Sequence, residues 1–323
     1  MKKLTKVIGM MCMAALVAFT ASSCKKTEDE GSEFQIRLAQ LQGFQTAERA
    51  YIDVMSQSEL RWNDGDQIMV YNLDADYTKS IARVFTAQAG AEGQTVAYFR
   101  GRSVGAKKSI GYFYFYPASK ASGSLQEDNR ETFTVAATQT YNPDFLADPT
   151  ALVMACTVDA VNANFNMEHI FGMLHVGVRS DNAEVHHVTS IVIEDKTFHL
   201  SGTMSLKLPE VNSATLSGLI DEIGGANYET DLAAYLQQLG YESNGDGYTM
   251  TLNCCTPENP EGIEVNNNGN THFLISLRPG ALYKGYRVTV NYDNGLSKFV
   301  ELNGTAPEKV IKPGWINNEF IQL

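Results

Sequence analysis

Six histidines, five cysteines and a scatter of carboxylates are the residues of this 323-residue chain that could hold a metal or do acid–base work. Their spacing argues against both. In an extended strand His169 and His175 share a face but stand ~20 Å apart at ~3.3 Å per residue. His186 and His187 are adjacent and point to opposite faces. Zinc needs three or four convergent ligands, so no metal is expected. Beyond Cys12 and Cys24, only Cys156, Cys254 and Cys255 remain, an odd number that gives no disulfide framework. They are expected as small buried apolar residues. "GRSVGAKKS" (101–109) has the residues of a phosphate-binding loop but not the spacing, because Ala106 separates Gly105 from Lys107. "SNGDGY" (243–248) lacks the alternating ligands and final glutamate of a calcium loop. No G-x-S-x-G or H-E-x-x-H occurs, and no two carboxylates pair for general acid–base work. The chain is not expected to be an enzyme or to carry a cofactor.

One aromatic run could do a different chemistry. In "SIGYFYFYP" (109–117) a strand puts Tyr112, Tyr114 and Tyr116 on one face and Gly111, Phe113 and Phe115 on the other. The tyrosine face could stack sugar rings, but core packing in a sandwich is the stronger expectation.

The N-terminus carries a covalent signal. Lys2, Lys3 and Lys6 precede an apolar run from Val7 to Thr20, and Ala21, Ser22 and Ser23 lead into Cys24. That order is a signal peptide over 1–23, too short in its apolar part to span as a stable helix. Cleavage between Ser23 and Cys24, with lipid added to Cys24, resembles the bacterial lipobox; Ala21 departs from its usual leucine. No other run reaches the ~18 apolar residues of a membrane span, so attachment to the outer membrane through lipid is expected. Losing the three lysines takes the formal charge from −12 to −15. So acidic a chain has nothing to offer a phosphate backbone, and nucleic acid is excluded as a partner. Residues 24–32, with "TEDE", form an acidic tether.

The rest reads as all-β. Short stretches rich in Val, Ile, Tyr, Phe and Thr are separated by Gly, Asn and Asp clusters. Expected strands include 34–41, 66–72, 95–101, 109–117 and 131–137, then 173–180, 188–195, 247–254, 272–279, 286–293 and 296–302. Asn294-Gly295 predicts a tight hairpin turn. One helix is expected in "NYETDLAAYLQQLGY" (227–241), where Leu232, Tyr235, Leu236 and Leu239 make one apolar face. A polar, Asn-rich stretch (157–166) sets a boundary near Asn162, giving β-sandwich domains over 33–161 and 162–323.

Five phrases, in order, resemble the fimbrillin family, the subunits of type V pili of Gram-negative anaerobes. "LRWNDGDQIMVYN" carries Trp62, Gly65, Asp66, Ile68 and Val70; "AYFRG" and "YFYFYPA" end at Tyr116-Pro117; "ATQTYNPDFLADPTALVMA" follows. "FNMEHIFGMLHVGV" carries Phe165, His169, Phe171, Leu174 and Val176, and "LRPGALYKGYRVTV" carries Pro279-Gly280. The resemblance implies two transthyretin-like β-sandwiches, a surface location in a fimbrium, and partners that are other pilus subunits joined by β-strand addition. An adhesive subunit also implies a host or bacterial surface ligand. It further implies that a protease removes the first strand after an arginine. Arg49 in "QTAERAYID", cut before Ala50, is the better placed; Arg37 lies inside the strand. "KPGWINNEFIQL" looks like the last strand of the second domain with no donor strand beyond it, which implies a tip or base subunit. The alternative is a glycan-binding outer-membrane surface lipoprotein, which would display aligned, exposed aromatic rings and need no cleavable strand.

Overall fold

The computed structural model describes residues 33–38, 40–41, 45–46, 61–74, 81–105, 109–124, 129–143, 145–158, 166–207, 230, 233–234, 242–243, 247–293 and 295–323. The first third of the described chain contains β1 (Glu33–Leu38), β2 (Gln40–Leu41), β3 (Gln45–Thr46), β4 (Gln67–Asp74), β5 (Ala82–Ala87), β6 (Ala97–Arg102) and β7 (Ser109–Tyr116). Then come β8 (Arg130–Val135), β9 (Thr138–Thr140), β10 (Met154–Val158), β11 (Asn166–His169), β12 (Gly172–Arg179), β13 (His186–Asp195) and β14 (Gly202–Lys207). The last are β15 (Glu242–Ser243), β16 (Thr249–Asn253), β17 (Ile263–Val265), β18 (Thr271–Leu277), β19 (Gly285–Tyr292), β20 (Leu296–Asn303) and β21 (Trp315–Gln322). The all-β expectation holds. Among the described residues no helix is long and apolar enough to cross a membrane. The helix expected over 227–241 falls mostly outside the described residues.

Four sheets result. The N-terminal sheet runs β1-β6-β5-β4-β7-β10-β11-β2. A second runs β18-β12-β21-β3, a third β20-β19-β13-β16-β9 with β17 beside β13, and a small one β15-β14-β8. The halves of the chain interleave: β8 pairs with β14 and β9 with β16, while β11 pairs into the first sheet.

Residue pattern explains which strands sit in the middle. A strand covered on both faces reads as a continuous apolar run rather than an alternation. In β4, Ile68 and Val70 enter one core while Met69, Tyr71 and Leu73 enter another. In β7, Tyr112 and Tyr114 join the first and Phe113 and Phe115 the second. The first core is enclosed by the N-terminal sheet itself, with pairs such as Phe85 and Ala87 from β5, Ala97 and Phe99 from β6, and Met154 and Cys156 from β10. The second extends from the far side of β4 and β7 into the C-terminal sheets, through Phe133, Phe171, Val176, Ile191, Leu252, Ile275 and Val288. Outer strands alternate instead: in β6, Ala97 and Phe99 are buried while Tyr98, Arg100 and Arg102 are exposed.

Two turns need glycine. Gly65 has φ 85° just before β4, where Asp66 accepts a hydrogen bond from the Asn63 amide (2.9 Å). Gly295 has φ 94° between β19 and β20, the hairpin expected there; Asn294 lies outside the described residues.

Candidate functional site

Residues 33–46 follow an unusual path. β1 pairs antiparallel with β6 over six residues, from Glu33 opposite Arg102 to Leu38 opposite Ala97. Only Ala39 separates β1 from β2, yet β2 pairs parallel with β11 at the other end of the same sheet, Gln40 opposite Asn166 and Leu41 opposite Met167. One continuous segment thus supplies both end strands of the sheet. A few residues on, β3 pairs parallel with β21 in a C-terminal sheet, Gln45 opposite Trp315 and Thr46 opposite Ile316. β1, β2 and β3 together therefore pair with three acceptor strands, β6, β11 and β21.

The acceptor surface is apolar inside and polar outside. Ala97 and Phe99 of β6 face the enclosed core, where the Phe99 ring meets Trp62 edge-on with centroids 4.9 Å apart. Trp62 also meets Tyr116 edge-on at 5.4 Å. Across the slot Met167 of β11 is buried, its sulfur 3.6 Å from the Cys156 thiol. Gly101 is required by its neighbours: a Cβ there would stand 2.7 Å from the Phe85 ring and 2.8 Å from the Val84 carbonyl oxygen. β6 is held on its other side by β5 through a short register, Thr86 opposite Arg100 and Ala87 opposite Phe99.

The residues singled out in the sequence fall as follows. Ser23, Cys24, Arg49 and Ala50 lie outside the described residues. Tyr112 and Tyr114 are buried in the enclosed core, so the tyrosine face of β7 presents no platform to solvent. Cys156 and Cys254 are buried and Cys255 is half-buried, and burial raises the Cys254 pKa. The four histidines weighed as ligands are dispersed, His169 on β11, His175 on β12, and His186 and His187 on β13. His186 Nδ1 bonds Asp293 Oδ2 at 2.5 Å beside the β19–β20 turn. No group of three His, Cys, Asp or Glu converges among the described residues.

Sequence reading missed one contact. His175 Nε2 is 2.9 Å from His272 Nδ1, and His175 Nδ1 is 2.8 Å from Asn318 Oδ1. Desolvation pushes the His175 pKa down to about 4; the neighbouring His272 lowers it further and the Asn318 hydrogen bond partly opposes. His272 is lowered too, by burial. Only the register of β12 with β18, which puts His175 opposite Leu274 and Gly177 opposite His272, brings the rings together. No spacing signal spans 97 residues. Nearby, β21 is pinned by polar side chains. The Tyr286 hydroxyl donates to Glu319 Oε1, Lys309 Nζ lies 2.7 Å from the same oxygen, and Asn317 Nδ2 donates to the carbonyls of Lys309 (2.7 Å) and Val310 (2.9 Å).

No family model and no curated protein matches this sequence. Solved structures do. A candidate cell adhesion protein from Bacteroides uniformis is 14% identical with TM-score 0.47, the match covering 81% of this chain and 88% of that one. Another from Bacteroides ovatus is 12% identical with TM-score 0.49, covering 90% and 92%. The tip fimbrial protein of Porphyromonas gingivalis, solved with a C-terminal truncation, is 7% identical with TM-score 0.35, covering 84% and 82%. The neighbours are adhesion and fimbrial proteins.

Proposed function

We propose that this chain is a structural and adhesive subunit of a type V fimbria. In this reading it leaves the cell as a lipoprotein acylated on Cys24, reaches the outer surface, and assembles by strand exchange. Its architecture is then two transthyretin-like β-sandwiches divided near Asn162, with no cofactor and no catalytic role.

One observation carries the reading: the segment 33–46 provides both ends of the N-terminal sheet and the β3 end of a C-terminal sheet. A cut at Arg49 would detach it from the rest of the fold while leaving every other strand in place. Its departure would leave a slot with two bare edges, β6 and β11. Each edge offers a row of N–H and C=O groups, and each ladder hydrogen bond regained contributes about 1 kcal/mol. The inner wall holds Phe99, Ala97 and Met167, whose apolar area favours refilling by ~25 cal/mol per Å2. A strand from a neighbouring subunit satisfies both demands, which is the physics of β-augmentation.

The test is the terminus of the assembled form. Protein recovered from fimbriae is analysed by N-terminal sequencing and intact mass. A start at Ala50 supports the reading, and acylated Cys24 on all surface material contradicts it.

A further inference from the structure

The β6 wall of the slot is chemically uneven. Ala97, Phe99 and Gly101 fall on its inner face and Tyr98, Arg100 and Arg102 on its outer face, in strict alternation. In an antiparallel pair, directly opposed residues share a face, so any strand seated there meets the two rows with its own alternate residues. The inner row has a gap at Gly101, where the Phe85 ring fills the space a Cβ would need. The outer row is basic on a chain whose formal charge is −12. β5, the neighbour on the other side, reads ARVFTA and brings no carboxylate to that row. The chain's own β1 places Glu33 opposite Arg102 and Gln35 opposite Arg100, with Phe34 opposite Gly101, Ile36 opposite Phe99 and Leu38 opposite Ala97.

Resting on the strand-exchange reading above, we infer that β6 selects its incoming strand by charge. The occupant is an extended segment of another subunit that runs antiparallel to β6. It carries a large apolar residue opposite Gly101, apolar residues opposite Phe99 and Ala97, and acidic rather than basic residues opposite Arg100 and Arg102. Like charges directly opposed are destabilising and opposite charges stabilising, and two reversed pairs together change affinity about tenfold. Because the arginines are exposed, the preference weakens as salt rises.

The test uses the full chain with a site-specific protease sequence at 47–50, nicked there so that all residues remain present. Labelled peptides of residues 33–46 then compete for the slot, followed by fluorescence anisotropy. The Gln35→Glu peptide is expected to displace the resident strand better than the native one. The Glu33→Lys/Gln35→Lys peptide is expected to be ~10-fold weaker than the Gln35→Glu peptide at low salt, with the gap narrowing at high salt. In an Arg100→Glu/Arg102→Glu chain the order reverses, and in an Arg100→Gln/Arg102→Gln chain it disappears. Equal binding of acidic and basic peptides, or an unchanged order in the reversed chain, overturns the charge rule while leaving strand exchange standing. Displacement by no peptide, the native sequence included, overturns the strand-exchange reading and this inference with it.

Discussion

β1 and β21 lie near opposite ends of the chain and are held by different means. β21 pairs parallel with β12 over seven residues and with β3 over two. It buries Ile316 and Ile321, and its polar residues bond to three other parts of the fold: Asn318 to His175, Glu319 to Tyr286 and Lys309, Asn317 to the backbone before it. β1 has one ladder, to β6, and the chain leaves it at once for the far end of the sheet. A strand pinned from several elements cannot leave without collapsing its surroundings. In the strand-exchange proposal β1 leaves while the sheet stays assembled through β6-β5-β4-β7-β10-β11. On that proposal the difference separates a structural strand from a replaceable one.

The largest expected effect breaks the pinning of β21. Glu319→Ala strands the Tyr286 hydroxyl in the interior and leaves Lys309 with only the Asn318 carbonyl, and is expected to cost about 3 kcal/mol in urea unfolding. Tyr286→Phe removes only one hydrogen bond and is expected to cost about 1 kcal/mol.

Acid comes next and acts on the same region. The folded His175 pKa, about 4, lies below its ordinary 6.5, so the unfolded chain takes up the proton first. Stability from this group is complete above about pH 6.5 and is lost as pH falls toward 4, by roughly 2–3 kcal/mol. His175→Gln is expected to flatten that part of the stability–pH curve, measured by urea midpoints between pH 7 and 4. A curve as steep in the variant as in the parent contradicts it.

The third change strikes the wall of the replaceable strand. Gly101→Ala drives a methyl into the Phe85 ring and the Val84 carbonyl and is expected to cost about 1–2 kcal/mol. Because β6 lies in the N-terminal sheet, the loss is expected as faster hydrogen exchange in β6 and β5 with β19 and β21 unaffected. Smallest of all, Val84→Thr changes an exposed side chain on β5 and is expected to stay within about 0.5 kcal/mol.

Much of this was legible in the sequence, for reasons that also mark where legibility stopped. Strands such as β7, β13, β18 and β19 announce themselves by composition, because their burial is decided within the strand. The stretch 34–41 reads as one strand, and its described parts, β1 and β2, pair with different neighbours. Pairing partners were hidden for the same reason: β8 with β14, and β9 with β16, are set by packing between distant segments, not by any local pattern. The tyrosine row of β7 reads as core packing in preference to a sugar platform, and Tyr112 and Tyr114 are buried as that reading expects. The His175–His272 contact needs a register that no spacing encodes.

The account rests on one claim, that the end strand β1 can be exchanged while the rest of the fold stays intact. Hydrogen exchange by mass spectrometry on the chain cut after Arg49, with and without excess free 33–46 peptide, tests it directly. The account predicts that β6 and β11 lose protection when the cut segment is washed away and regain it when the peptide is added, while β19 and β21 beyond Ile316 stay protected throughout. Protection lost across all these strands together, or β6 protection that no peptide restores, would contradict it.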